Sequence, residues 1–382
     1  MSFAAAVLRP GIDNKADYIR RLVSGYEESL RSGRVTCECF CLLEQFQLTR
    51  RGTKGVAGFM TRNRTNEVKV SGEEWKLDDD LSMQVLSRGS VEYLRLIPEF
   101  ERFVPQTHGR YLEAPLLQVM AQCREQYSIE ECFYGVLPLP TTLLSLRSAL
   151  RLHNPVSSGD PSFTAVFGVL STPLPLLESH YVIPEGHSTL SYPPIYELTA
   201  DEWDVFKFSW KIILDLYQSD QDSQFILKAL NWFESGRACS RHEDRIIHHF
   251  IGLESLFGQR EDWPSKDFLP RVSYLLNFSE VNRNARFYKD LKRAYKIRNE
   301  IVHGDRIASD DFEKRLGLAA ACDFLDDVFR TSLQMIIALH GPLLESSKEF
   351  ITKEQFVRSL DRGINGDEKA LSMWRGIWRL FR

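Results

Sequence analysis

The chain has 382 residues, 43% of them hydrophobic, 26% charged and 12% aromatic, with a net charge of −4. That composition suits a folded protein with room for two or three domains, and it excludes a chain that coats nucleic acid with its whole surface. No run of about 18 apolar residues occurs, so no membrane-spanning helix is expected.

The opening stretch Met1-Ser2-Phe3-Ala4-Ala5-Ala6-Val7-Leu8 has no basic leader and is too short for a signal peptide, so a cytoplasmic location without a membrane partner is expected. Residues Lys15 to Leu30 read as a helix. From Thr36 to Val70 the pattern is that of strands: Phe46-Gln47-Leu48 and Val56-Ala57-Gly58-Phe59-Met60 are short apolar runs, and Glu67-Val68-Lys69-Val70 alternates. Cys37, Cys39 and Cys41 alternate with Glu38 and Phe40, which puts all three on one strand face. With no fourth ligand at zinc-site spacing, they read as small residues of a buried face, reduced in a cytoplasmic protein. Arg50, Arg51, Lys54, Arg62 and Arg64 fall on turns and read as a solvated strand edge, with phosphate contact as the alternative.

Leu81 to Tyr127 reads as mixed and partly helical. Val136-Leu137-Pro138-Leu139-Pro140 is a break, Leu143 to Leu152 a short helix, and Phe163 to Leu170 a buried strand. Pro173, Pro175, Pro184, Pro193 and Pro194 mark an extended connection, and the main domain boundary is placed there.

Beyond it the period changes to that of helices. Thr199-Ala200-Asp201-Glu202 has the form of a capping box, followed by Trp203, Phe206, Trp210, Ile213 and Leu214 at helical spacing. Further helices are expected over Ser223–Ser235, Arg241–Phe257 (with Gly258 as its stop), Asp267–Leu276, Asn284–His303 and Phe312–His340. A tail from Thr352 to Arg382 adds one or two more. Its Trp374, Arg375, Trp378 and Arg379 read as a terminal helix docked on its own domain, with base stacking or a partner grip as the alternative. The expected fold is therefore α+β. A mixed α/β domain (1–195), with a sensing or regulatory role, precedes an all-α bundle (196–345) and a helical tail (346–382).

The stretch that carries chemistry is Tyr295-Lys296-Ile297-Arg298-Asn299-Glu300-Ile301-Val302-His303-Gly304. Residues four apart lie about 40° apart around a helix, so Asn299 and His303 share a face, and the long side chain of Arg298 reaches round to them. Ile297, Ile301 and Val302 are expected to face inward. Between Arg283 and Arg306 stand eight basic residues and three acidic ones, five net positive charges in a chain that is negative overall. Lys292, Arg293 and Lys296 are the candidates to hold an RNA backbone. Cutting RNA without a metal takes a base for the 2′-OH, an acid for the leaving 5′-oxygen, and positive charge on the phosphate. Histidine suits the proton transfers and arginine the phosphate. One chain supplies one such histidine, so a two-fold dimer that brings two Arg-His pairs to one cleft is expected.

Arg298-Asn299-Glu300-Ile301-Val302-His303 resembles the R-x4–6-H motif of the HEPN superfamily. Together with Leu230-Asn231-Trp232-Phe233 and Gly252-Leu253-Glu254-Ser255-Leu256-Phe257, the region from about 200 to 340 is similar to the Apea-like branch. The resemblance implies a metal-independent, cofactor-free endoribonuclease, active as a dimer and deployed in toxin or anti-phage systems, with tRNA as a substrate by analogy. By position, Arg298 and His303 are the catalytic pair and Asn299 orients them or the phosphate. Glu254 either pairs with Arg298 or is a structurally bonded carboxylate at a helix end. The family also holds members that only bind RNA or act as scaffolds, so a non-catalytic module is the alternative. A regulatory protein or ligand at the N-terminal domain is a further expectation. His242 and His249, seven apart on one helix, lack a third ligand, and no metal site is expected. Phosphate-binding glycine loops and nucleophile elbows are missing from the sequence.

Overall fold

The computed structural model describes residues 15–44, 46–49, 74–77, 81–85, 119–134, 137–153, 162–170, 180–183, 196–199, 202–218, 224–259, 268–277, 284–304, 317–340 and 352–380. Helices predominate among them, and none is long and apolar enough to cross a membrane. The chain divides into two compact units, Met1–Arg147 with Gly159–His187 and Pro193–Lys207, and Ser148–Ser158 with Ser188–Tyr192 and Phe208–Arg382.

The first unit holds helix α1 (Lys15–Ser32), strands β1 (Arg34–Glu44), β2 (Phe46–Thr49), β3 (Glu74–Lys76), β4 (Leu81–Val85) and β5 (Val119–Ser128), and helix α2 (Ile129–Tyr134). The first half of α3 (Thr141–His153), β6 (Ser162–Leu170), β7 (His180–Ile183), β8 (Tyr196–Thr199) and the first turn of α4 (Trp203–Gln218) complete it. Six strands form one antiparallel sheet in the order β3-β4-β5-β1-β6-β7, and β2 pairs in parallel with β8. β1 is the long central strand. Its residues Val35, Cys37, Cys39, Cys41 and Leu43 point to one face and are all buried, as the period of two requires. Leu81, Met83, Ala121, Cys123 and Tyr127 on the neighbouring strands are buried as well.

The described parts of Leu81–Tyr127 are strands rather than mixed and partly helical segments. In β5 the inward residues Ala121 and Cys123 are small, so the alternation is faint in sequence; pairing to β4 on one side and β1 on the other supplies the stability. Thr199 does not cap a helix either. It ends β8 opposite Thr49, and α4 begins four residues later. The basic cluster from Arg50 to Arg64, the run Val56–Met60 and most of the proline passage lie outside the described residues, although β7 runs within the latter.

The second unit is helical where described. It holds the ends of α3 and α4, then α5 (Gln224–Ala238), α6 (His242–Phe257), α7 (Phe268–Asn277), α8 (Asn284–His303), α9 (Leu318–His340), α10 (Lys353–Ile364) and α11 (Glu368–Leu380). α6 is the central rod and touches α5, α7, α8, α9 and α10. Its inward residues Ile246, Phe250, Leu253 and Leu256 recur at three- and four-residue intervals and are fully buried. Phe250 meets Phe268 and Tyr295 edge-on, with ring centroids 6.4 and 5.4 Å away. Gly258 ends α6 in an extended conformation, its N–H donating to the Glu254 carbonyl at 2.8 Å. A Cβ at Gly258 would come within 2.7 Å of that oxygen, so close approach and not a positive φ requires glycine here.

The tail docks on its own unit. Thr352 and Gln355 form a capping box at the start of α10. Arg271 on α7 grips Asp361 through two nitrogens at 2.7 and 3.0 Å and also donates to the Phe257 carbonyl at 2.8 Å. Trp374 is fully buried against Phe356 and donates to the Ser359 carbonyl at 3.3 Å. That is the docked-helix reading of the tail, while Arg375 is exposed.

Candidate active site

α8 spans Asn284–His303, and Gly304 ends it with φ +70°, the left-handed conformation glycine adopts without strain. Leu291, Ala294, Tyr295 and Ile297 pin the helix to the core. Val302 does not join them: it is 49% exposed. It lies five residues, about 140°, from buried Ile297, and so on the far side of the helix.

Arg298 is only 21% exposed and reaches back toward α6. Its Nη1 donates to Asn299 Oδ1 at 3.0 Å, its Nη2 lies 3.9 Å from Glu254 Oε1, and its guanidinium carbon sits 5.9 Å from the centre of the Tyr295 ring. Arg298, Asn299 and Glu254 therefore form one cluster. Burial raises the carboxyl of Glu254 above its ordinary value, and the Arg298 charge offsets part of the rise. His303 stands apart on the exposed last turn, and no hydrogen bond or ion pair joins it to the cluster among the described residues.

The candidate RNA-binding residues Lys292, Arg293 and Lys296 are all exposed. Lys289, Arg293, Lys296 and His303 fall within about 80° around the helix and span about 21 Å along it. Part of this charge is locally balanced. Arg293 and Arg286 lie 3.3 and 3.9 Å from Asp290, and Lys296 lies 3.5 Å from Glu300. Lys292 covers the face of Tyr288, with its nitrogen 4.6 Å from the ring centre.

A second polar cluster was not legible in the sequence. Asp326 on α9 is fully buried and takes Arg245 at 2.8 Å, His249 at 3.2 Å and Arg237 at 3.6 Å. Burial alone would raise its carboxyl; Arg237, His249 and Arg245 together outweigh this and hold it well below the usual carboxylate range. Burial lowers the imidazole of His249, with Asp326 pulling the other way. The cluster continues through Arg237, which donates to the Arg151 carbonyl at 3.2 Å, and through the buried ion pair of Arg151 with Glu234. The one signal in the sequence is a carboxylate at position 326, on the helical stripe of Cys322, Leu325 and Phe329. His249 thus serves a buried ion cluster, and among the described residues no group of His, Cys, Asp or Glu is placed to hold a metal ion.

Comparison of the chain with protein-family models, with curated proteins and with solved structures finds no match.

Proposed function

We propose that the helical unit is a metal-independent endoribonuclease of the HEPN type, with Arg298 and His303 as its catalytic pair. The observation that carries this reading is the arrangement at the end of α8. A guanidinium is held between Glu254 and Asn299, five residues along the helix from an exposed imidazole, at the end of a stripe of lysine and arginine. Lys289, Lys292, Arg293 and Lys296 draw the RNA backbone along the helix. Arg298 stabilises the charge that builds on the scissile phosphate, and Asn299 fixes its direction. His303 moves the proton between the 2′-hydroxyl and the leaving 5′-oxygen. A second copy of the chain supplies the second histidine, and the exposed Val302 beside His303 gives that copy an apolar contact. A nuclease of this kind needs restraint, which the N-terminal unit provides in a toxin or defence setting.

The test is cleavage of RNA by the purified protein with EDTA present. Wild type should release products with 2′,3′-cyclic phosphate ends, and Arg298→Ala and His303→Ala should not. Equal cleavage by all three proteins would overturn the assignment. The alternative is a non-catalytic module that binds RNA or dimerises, which the separation of His303 from Arg298 favours. In that case RNA binds uncut, and His303→Ala binds it as tightly as wild type.

A further inference from the structure

None of the seven cysteines is in a disulfide, and Cys239 alone is not buried. Four of the buried six, Cys37, Cys39, Cys41 and Cys123, lie on one face of the large sheet. Among the described strands, one register position sets two cysteines directly opposite each other: Cys39 on β1 faces Cys123 on β5. Cys37 is opposite Glu125, and Cys41 is opposite Ala121 and Val166.

Residues directly opposite in an antiparallel pair have Cα atoms about 4.5–5.5 Å apart. A disulfide bridges Cα atoms about 4.4–6.8 Å apart. The backbone of this pair therefore already meets the distance a disulfide needs, and the shared face points both Cβ atoms the same way. The Cys39 sulfur lies 4.0 Å from the Cys37 carbonyl oxygen. The Tyr127 hydroxyl, 3.9 Å from the Cys39 sulfur, is a further polar neighbour. Cys39, the sulfur with polar neighbours, is assigned the attack and Cys123 the resolution.

We propose that Cys39 and Cys123 are a reversible dithiol–disulfide site of the N-terminal unit, oxidised by hydrogen peroxide. The Cys39 thiolate attacks a peroxide oxygen, the O–O bond breaks, Cys39 becomes a sulfenic acid, and the hydroxide released takes up the proton lost from the Cys39 thiol and leaves as water. The Cys123 thiol then attacks the Cys39 sulfur, the S–O bond breaks, and a second water leaves with the Cys123 proton. Two thiols lose two electrons in all, and the peroxide is reduced to two waters. Two equivalents of a small thiol reverse the step. The bond ties β1 to β5 in the middle of the sheet and so rigidifies the unit that precedes the helical one. Because both sulfurs are buried, oxidation waits on a local opening of the sheet and is slower than at Cys239.

The experiment treats the full chain with hydrogen peroxide, blocks remaining thiols with N-ethylmaleimide under denaturing conditions, and maps unreduced peptides by mass spectrometry. Cys37, Cys39 and Cys41 fall in one tryptic peptide, so the mapping is repeated on the Cys37→Ser/Cys41→Ser double variant. The expected result is a Cys39–Cys123 linked peptide in both proteins, removed by dithiothreitol and missing from Cys123→Ser. Peroxide should also raise the Tm of wild type under non-reducing conditions, and not that of Cys123→Ser. The proposal is overturned if Cys239 is oxidised while no Cys39–Cys123 peptide forms. It is equally overturned if the link forms only after the protein is unfolded, or if it disappears from the double variant. Where Cys123→Ser fails to fold, the linked peptide in wild type and in the double variant decides the matter.

Discussion

Arg298 on α8 lies 3.9 Å from the half-buried carboxylate of Glu254 on α6, and its other terminal nitrogen is bonded to Asn299 at 3.0 Å. The guanidinium is thus flanked by a carboxylate from one helix and an amide from its own. Burial raises Glu254, the first cause, and Arg298 offsets part of that rise. A carboxyl raised in the folded state contributes stability below its unfolded value that is lost as pH climbs through the folded one. At neutral pH the charge of Glu254 therefore costs stability rather than adding it. Glu254→Gln is expected to melt no more than about 0.5 kcal/mol below wild type. RNA cleavage should still fall by roughly 10- to 100-fold, because Arg298 loses one of its guides. Thermal melts and cleavage rates on the same samples check this. A drop of several degrees would make the pair a structural prop.

Gly252 lets α6 and α9 meet. A Cβ there would collide with the Phe329 ring and press on Trp232 at 3.1 Å. Gly252→Ala should destabilise the helical unit by about 1–3 kcal/mol, the usual cost of overpacking. Phe329→Leu in the same chain should recover part of that loss. Denaturant melts of both single variants and the double variant measure the coupling, and additive losses would show that the two side chains do not compete for one space.

Local order in the second unit was readable because it is written in local chemistry. The expected helix at Asn284–His303 has those same bounds in the structure, and that at Arg241–Phe257 begins one residue later. Their apolar residues recur at three and four, and glycine follows each end. The buried run of Cys37, Cys39 and Cys41 was readable from the period of two. What escaped depends on partners far away in sequence. β5 is a strand because β1 and β4 flank it, not because its residues insist on it. Asp326 gathers Arg237, Arg245 and His249 from two other helices, and no spacing rule reveals such a meeting. In the candidate site, position along the helix was legible and direction was not. Arg298 was expected to reach round to His303 and, as one of two readings, to pair with Glu254; it lies beside Glu254 and makes no bond to His303, and Val302 points outward.

The stripe on α8 yields a graded prediction for RNA binding. Lys289→Gln and Lys292→Gln should each flatten the slope of log affinity against log salt by about 0.7–0.9, the value for one phosphate contact. Arg293→Gln and Lys296→Gln should do less, since Asp290 and Glu300 already balance them. Glu300→Gln should tighten binding by freeing Lys296. Fluorescence titrations with a labelled RNA at several salt concentrations check the order, and a slope unchanged in all four lysine and arginine variants would remove the stripe from the binding surface.

The buried cluster around Asp326 predicts how the helical unit responds to acid. Asp326 sits between Arg237 and Arg245 with its carboxyl held low, so its contribution is present above the usual carboxylate value and lost as pH falls below about 4. His249 also has a depressed value, caused first by burial. An unfolded histidine takes up a proton near pH 6.5 and the folded one resists, so stability begins to fall as pH drops below about 6.5. Wild type should therefore lose Tm in two stages on acidification, one below about pH 6.5 and one below about pH 4. His249→Gln should lower stability at pH 7 and abolish the upper stage alone. Asp326→Asn should cost about 3–5 kcal/mol at neutral pH, because two buried guanidiniums lose their counter-charge. Thermal melts from pH 3.5 to 8 separate these outcomes, and an upper stage that survives in His249→Gln would assign it to another group.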